Sequence, residues 1–312
     1  MATKISIIGG AGTLGSCAAF AIATQGLADE IVMLDTNKNL LKCHIMDIGT
    51  AVTGLHDVEI REGSDEDMAG SDIIIVAAGA PWRYISSRME LLNDSMPIIK
   101  EIAWKIGREC PEAVVITGTN PVDPLNFAMY LASGIERKKL LGYSLNDSIR
   151  FRMMVSKLLG VNSKAVDGIV VGEHGEHQVL LFSTVRVNGQ FTSFREEVKQ
   201  NIKQEITDAL RGYESLKTGR TSGWTSAVGF ASLIRSVVNN AGKLFPCSAV
   251  LQGEYGYERL SATVPVKLGR EGIMEIVELD LDPGEEEEFE ASMGYLKQVC
   301  QAVEKEFSPA GI

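Results

Sequence analysis

Long apolar stretches are missing from this sequence. Nowhere in its 312 residues do about 18 apolar side chains run together, the length that a membrane-crossing helix needs. The opening MATKISIIGGAGTLG also has no basic segment followed by an apolar core and a small-residue cleavage site. Neither membrane spanning nor secretion is therefore expected. Cysteine is scarce: the five, at 17, 43, 110, 247 and 300, form no C-x-x-C pair and no close cluster. That odd, scattered set argues against a disulfide framework and for reduced thiols in a cytoplasm. Tracts rich in Pro, Ser or Gln are absent and 45% of the residues are hydrophobic, so a compact fold with a large core is expected. Basic residues are outnumbered, 30 Lys and Arg against 41 Asp and Glu, giving a net charge of −11 and a pI near 5.0. This balance works against sequence-independent binding to phosphate backbones, so nucleic acid is not an expected partner. Any anionic ligand needs a local cationic pocket.

What the sequence does carry is rhythm. Short β-branched runs, ISIIG (5–9), EIVMLD (30–35), DIIIVAAG (72–79) and AVVITGTNP (113–121), alternate with longer amphipathic segments such as LGSCAAFAIATQG and SRMELLNDSMPIIKEIAWKIGREC. Continuous apolar runs of that length suit strands covered on both faces, and the alternation predicts a parallel sheet wrapped by helices. After about residue 143 the pattern changes. GIVV and VLLFSTVRV read as extended runs around a turn, followed by Asn188-Gly189, a long polar helix near 194–216 and a second helix from about 221 to 241. LSATVPVKLG and IMEIVELDL read as a hairpin. GEEEEFEASMGYLKQVCQAVEKE reads as a closing helix whose glutamates crowd the N-terminal end, where the helix dipole favours negative charge. The chain is about twice as long as a typical domain, and no low-complexity linker divides it. The expected division is a change of architecture, between residues 1–143 and 144–312.

The first strand is followed by GGAGTLG, readable as Gly10-x-Gly12-x-x-Gly15 or, shifted by one, as Gly9-x-x-Gly12-x-x-Gly15. Either frame puts backbone without side chains at a helix N-terminus, where N–H groups attract an anion and a pyrophosphate can come close. Glycine turns between strand and helix are common, so the motif alone is weak. Asp35 strengthens it, ending the second strand about 20 residues after Gly15, where an acid accepts hydrogen bonds from an adenosine ribose. A carboxylate there repels a 2′-phosphate and favours NAD over NADP. A plain strand-ending turn is the alternative for Asp35. The expected fold class is α/β: a Rossmann-type doubly wound parallel sheet followed by an α+β domain.

EHGEH, Glu173 to His177, gathers two of the four histidines with two carboxylates. The H-x-x-H spacing raises zinc, but H-E-x-x-H is not matched, Gly172 and Gly175 argue for a loop, and no third ligand recurs nearby. No metal is assigned.

Taken together, GGAGTLG with Asp35, AGAPWRYISSR (78–88), TNPVDP (119–124), NDSIRFR (146–152) and GEHGEH (172–177), in this order and spacing, resemble the L-lactate/L-malate dehydrogenase family. The likeness spans essentially the whole chain. It implies an NAD-dependent oxidoreductase that transfers hydride between NAD(H) and an L-2-hydroxy acid/2-oxo acid pair, assembled as a homodimer or homotetramer. Residues 1–143 would be the dinucleotide-binding domain and 144–312 the substrate and catalytic domain. Gly9, Gly10, Gly12, Thr13, Leu14 and Gly15, with Asp35, Ala78, Gly79 and Asn120, would contact the cofactor.

Oxidising a secondary alcohol needs a base for the hydroxyl proton, and an imidazole with an ordinary pKa of about 6.5 suits that task near neutrality. His174, in a glycine-flanked loop after a strand, is the candidate, with Asp147 fixing its tautomer and stabilising the imidazolium. Arg150, one helical turn after Asp147, would clamp a substrate carboxylate at two points. Arg152 faces elsewhere and is read as ion-paired or solvated. Asn120 would donate to the reacting oxygen or orient the nicotinamide, and its bond to Pro121 is a candidate cis peptide. Arg88 matches the family arginine that polarises the carbonyl, on a loop that closes over substrate. Thr221 either lines the opposite wall of the pocket or caps a helix. His177 stands where the family usually carries a small residue and is read as a surface group.

The closing loop departs from the pattern. Trp82 lies six residues before Arg88, where the family usually carries Gln for lactate or Arg for malate. An indole cannot pair with a second carboxylate, which points to a small or apolar substrate side chain, yet Arg83 presents the missing charge if the loop shifts by one. Tyr84-Ile85 replace the usual Pro-Gly, so the hinge must differ. Packing of the closed lid is the plain alternative for Trp82 and Tyr84. Arg83 and the glycine spacing from Gly9 tip the expectation to malate/oxaloacetate, with lactate/pyruvate or a bulkier 2-hydroxy acid as alternatives. Two readings of other kinds stand beside it. One is a non-catalytic NAD-binding regulator whose altered lid no longer closes. The other is an NAD- and metal-dependent glycosidase, for which Cys43-His44 would mimic a ligand pair, although adjacent residues on a helix diverge by about 100°.

Overall fold

The computed structural model describes residues 2–80, 88–219 and 221–307. The predicted alternation forms β1 (Lys4–Ile8), α1 (Thr13–Thr24), β2 (Glu30–Leu34), α2 (Lys38–Val52), β3 (Glu59–Glu62), β4 (Ile73–Val76), α3 (Arg88–Glu109), β5 (Val114–Thr117), α4 (Val122–Ser133) and β6 (Leu140–Tyr143). All pairings among these strands are parallel, in the order 3-2-1-4-5-6. Every residue of β4 and β5 is buried, as strands covered by helices on both faces must be. Strand order reverses between β1 and β4, and the loops leaving their carboxyl ends part to opposite sides, which opens a crevice for a ligand.

The chain continues with α5 (Leu145–Leu159), β7 (Val166–Gly172), β8 (Gln178–Val187), β9 (Gln190–Phe191), α6 (Glu196–Ser215), α7 (Gly223–Val238), β10 (Lys243–Gln252), β11 (Glu258–Gly269), β12 (Gly272–Ile276) and α8 (Pro283–Lys305). β10 pairs antiparallel with β6 through Cys247 opposite Tyr143 and Ser248 opposite Gly142. The change of architecture is thus a switch from parallel to antiparallel pairing inside one continuous sheet, twelve-stranded among the described residues. Antiparallel partners can follow short turns, and Asn188 and Gly189, both at positive φ, make such a turn between β8 and β9. The predicted hairpin is β11 and β12. β10 itself escapes a reading by pattern because Pro246 interrupts it. In the sheet Pro246 stands opposite Pro265, so neither residue's missing N–H breaks a bond to the other. The helix expected from residue 221 begins at Gly223, and its N-cap is Ser222; Thr221 precedes the cap.

Two apolar clusters hold this together. The larger spans the parallel sheet, α1, α4, α7 and α8. The smaller joins α5, β7, β8 and α6, where Phe151 meets Phe182 edge to face at 5.0 Å. Phe230 of α7 is 0% exposed and stacks on Tyr143 with ring centroids 4.3 Å apart. A Cβ at the neighbouring Gly229 would lie 1.9 Å from the Tyr143 hydroxyl, so only glycine lets the phenol cross the helix backbone there. Tyr143 Oη donates to Asn146 Oδ1 at 2.7 Å, and Asn146 Nδ2 donates to Ser226 Oγ at 2.8 Å. Burial pushes the phenol far above its ordinary value and keeps it a donor. These bonds tie the end of β6 and the start of α5 to α7. Replacing Phe230 with Ala should cost about 3–5 kcal/mol in urea unfolding, through lost burial and the cavity left beside Tyr143.

Candidate active site

The glycine loop settles which of its two frames is required. Gly9 has φ +88, and a Cβ there would sit 2.5 Å from the Ala78 nitrogen at the end of β4. A Cβ on Gly15 would sit 2.2 Å from the Gly9 carbonyl oxygen, so glycine alone lets α1 pack on the turn. At Gly12, the N-cap of α1, the nearest atom is 3.4 Å away, which leaves an open approach to the helix end. Gly10 instead faces Met33 and Leu41 side chains in the core. Backbone contacts demand glycine at Gly9 and Gly15, which favours the Gly9-x-x-Gly12-x-x-Gly15 frame over the one starting at Gly10, where a Cβ would meet only side chains, at 3.1 Å. The first turn of α1, opened by Thr13 and Leu14, carries no acidic residue and no side-chain cap, so its amides suit an anion such as a pyrophosphate. Asp35 extends the cradle: Oδ2 accepts the Ala11 N–H at 3.0 Å and Oδ1 that of Asn37 at 2.8 Å. Across the crevice, Thr119 Oγ1 donates to the Ala78 carbonyl at 2.6 Å, and a Cβ on Gly79 would meet Thr119 Cγ2 at 2.5 Å. Asn120 follows directly, and its bond to Pro121 is cis. The residues present therefore fit a dinucleotide.

His174 leaves the end of β7 and meets Asp147 in the first turn of α5, with Nδ1 and Oδ2 2.5 Å apart. Arg150 Nη1 donates to the other oxygen of the same carboxylate, Oδ1, at 2.9 Å. Side chains at i and i+3 share a helix face, which is why Asp147 and Arg150 can meet. The Asp147 side chain is 8% exposed and that of His174 14%, so the bonds lie largely out of water. An ionised carboxylate only accepts hydrogen bonds. A neutral His174 therefore carries its proton on Nδ1.

The loop that carries His174 is held at several points. Glu173 N–H donates to Ser292 Oγ of α8 at 2.8 Å, and His174 N–H to Asp123 Oδ2 of α4 at 2.7 Å. Glu173 Oε2 accepts from the His177 backbone at 2.9 Å and lies 2.7 Å from His177 Nδ1. The His177 ring also stacks on Tyr295 at 4.2 Å, so this exposed histidine is a built part of the loop. The two imidazoles of EHGEH thus face separate carboxylates. Among the described residues no group of three or more His, Cys, Asp or Glu is placed to hold a metal ion.

Thr221 is exposed, and its carbonyl accepts the Gly223 N–H at 2.8 Å, so it is not the helix cap. Arg152 is half-buried and makes no ion-pair contact among the described residues: Nε donates to the Gly168 carbonyl at 3.1 Å, and burial lowers its pKa while the Asp167 charge acts the other way. Trp82, Arg83 and the side chain of Arg88 lie outside the described residues; α3 begins at Arg88. None of the five cysteines is in a disulfide, and burial pushes Cys110 up to about 11 and Cys300 up to about 12. No described helix is long and apolar enough to cross a membrane.

A dinucleotide crevice beside a histidine–carboxylate–arginine group defines an NAD-binding oxidoreductase. Residues 3–142 match the family model for the lactate/malate dehydrogenase NAD binding domain, and residues 145–307 that for the lactate/malate dehydrogenase alpha/beta C-terminal domain. The chain belongs to this family of NAD-dependent enzymes acting on 2-hydroxy acids. It is 38% identical over 292 residues to the malate dehydrogenase of Natronomonas pharaonis, covering 91% of this chain and 94% of that one. Among solved structures, Cryptosporidium parvum malate dehydrogenase superposes with a TM-score of 0.90 at 28% identity, over 98% of this chain and 100% of that one. The lactate dehydrogenase of the same organism, complexed with lactic acid and nicotinamide adenine dinucleotide, gives 0.89 at 26% identity, over 97% and 98%.

Asp123 is the residue of this site that sequence reasoning passed over. Burial raises its pKa from 3.8 to about 6, against the Ser248 hydroxyl, the His174 amide and the His174 charge, which lower it, while Glu173 adds to the rise. The folded value lies above the unfolded one, so ionising Asp123 costs the native state stability as pH rises through this interval, and the cost is absent below it. Asp123→Asn removes that cost. In urea unfolding, its stability relative to the wild type should climb by up to about 3 kcal/mol between about pH 4 and 6.5, and stay level above.

Proposed function

We propose that this enzyme interconverts L-malate and oxaloacetate, with His174 exchanging the proton of the C2 oxygen. The observation that carries this is the convergence of His174 and Arg150 on one buried carboxylate, Asp147. NAD, held by Gly9, Gly12, Gly15 and Asp35 with Thr13, Leu14, Ala78, Gly79 and Asn120 lining the crevice, supplies the hydride acceptor when bound. His174 Nε2 takes the hydroxyl proton as the alcohol is oxidised and returns it to the oxygen in the reverse direction. Asp147 stabilises the imidazolium formed and holds the ring in one tautomer. Arg150 spends Nη1 on Asp147 and has further N–H groups for the substrate's C1 carboxylate. Asn120 donates to the reacting oxygen or orients the nicotinamide, Arg88 polarises the carbonyl, and Thr221 lines the far wall.

Malate is favoured over lactate by the kinship with malate dehydrogenases and by Arg83, which supplies a cationic side chain of the kind a second carboxylate requires. In this reading residues 1–143 hold the cofactor and 144–312 the substrate, and the protein works in a reducing cytoplasm as a homodimer or homotetramer. Phe20 on α1 and Trp224 and Val228 on α7, helices that pack together, are exposed large apolar groups suited to a subunit contact.

Following NADH absorbance with oxaloacetate, pyruvate and phenylpyruvate tests the proposal. Oxaloacetate should give the highest kcat/KM, and inertness towards all three would refute it. His174→Asn should lose about 10³-fold in kcat while still binding NADH. Arg83→Ala should lose roughly 10- to 100-fold in kcat/KM for oxaloacetate, the worth of one charge-assisted hydrogen bond, with little change for pyruvate.

A further inference from the structure

Asp123 stands in the first turn of α4, three residues beyond Asn120, and is 1% exposed. Through Oδ2 it reaches the backbone of His174, so a single side chain joins the segment after β5 to the loop after β7. Pro121, Asp123, Glu173 and His174 line one pocket together with Tyr295 and Leu296 of α8.

The sheet beneath Asp123 is unusual in composition. Thr117, Gly142, Ser248, Thr263 and Gly172 stand opposite one another on β5, β6, β10, β11 and β7. Residues directly opposite on paired strands share a face. That face is the one under α4 and α8: a Cβ on Gly142 would meet Val122 Cγ2 at 2.8 Å, and one on Gly172 would meet Ser292 Oγ at 2.5 Å. Asn126, on the same side of α4 as Asp123, donates to Ser261 Oγ at 3.0 Å and to the Ser248 carbonyl at 3.3 Å, and the Ser248 and Ser261 hydroxyls are 2.8 Å apart. The buried side-chain oxygens without a hydrogen-bond partner among the described residues are Thr117 Oγ1, Asp123 Oδ1, Asn126 Oδ1 and Thr263 Oγ1, and all belong to this strip. Hydrogen bonds are directional where apolar packing is not, so the two Asn126 bonds fix the placement of α4 on the sheet. Asp123 carries that registration on to His174.

We infer that Asp123 is a positioning residue for His174, transmitting the placement of α4 on the sheet to the catalytic loop through its bond to the His174 amide. This rests on His174 acting as the base. The bond needs an acceptor at position 123, and a side-chain amide oxygen also serves.

Wild type, Asp123→Asn and Asp123→Ala are compared in NADH-linked reduction of oxaloacetate, in NADH affinity, and in the ¹⁵N spectrum of labelled histidine. Asp123→Ala should lower kcat by about 10- to 100-fold, because the imidazole is misplaced. Its NADH affinity should hold within about twofold, and its His174 signals should shift from the single Nδ1–H tautomer towards a mixture. Asp123→Asn should keep the single tautomer and a kcat within about threefold of wild type. Retention of wild-type kcat and tautomer in Asp123→Ala overturns the inference, as does equal loss of NADH affinity and turnover in both variants. If the wild type reduces no 2-oxo acid, the proposed reaction fails, while the tautomer spectrum still decides whether Asp123 sets His174.

Discussion

One carboxylate shared between an imidazole and a guanidinium is the interaction on which the site depends. Asp147 receives the His174 ring on one oxygen and Arg150 on the other, in a setting where water hardly competes. It sits in the first turn of α5, where the helix dipole favours a negative charge. Removing it would strand a largely buried imidazole and loosen a guanidinium, which costs more than the pair gains by forming. The imidazole and the guanidinium are thereby placed by the same carboxylate and cannot drift apart independently.

That arrangement is itself held by the sheet. β6 delivers Tyr143, whose hydroxyl begins the hydrogen-bonded chain through Asn146 to Ser226 and so orients the start of α5 against α7. β7 delivers Gly172 and the loop beyond it, pinned by Ser292 and Asp123. Because β6, β10, β11 and β7 are consecutive members of one sheet, the two halves of the site share a rigid floor. The cofactor crevice lies at the carboxyl ends of β1 and β4, where the turn at Gly9 approaches Ala78 so closely that no side chain fits between them.

Much of this was legible in the chain. Unbroken apolar runs marked β1, β2, β4 and β5, and the glycine spacing with Asp35 marked the cradle, because burial on both faces and close backbone approach each demand particular residue types. His174, Asp147 and Arg150 stood out by chemistry and family resemblance. Other features left no local signal. β10 was hidden by Pro246, tolerated only because Pro265 lies opposite. Arg152 read as ion-paired or solvated, and nothing local announced that α5 turns its Nε towards the Gly168 carbonyl. Asp123 passed as part of TNPVDP, since nothing in that motif announces a carboxylate buried beneath a loop some fifty residues away.

The amino-acid order was sufficient for most element types and for the dinucleotide motif, and it singled out the histidine, carboxylate and arginine that the fold brings together, since these follow from periodicity, backbone freedom and side-chain chemistry acting over a few residues. Folding was needed to choose between the two glycine frames, to let Arg150 and His174 share Asp147, and to give His177 a carboxylate and an aromatic ring of its own. Those outcomes rest on contacts between residues distant along the chain, and such contacts exist only once the strands have taken their order in the sheet.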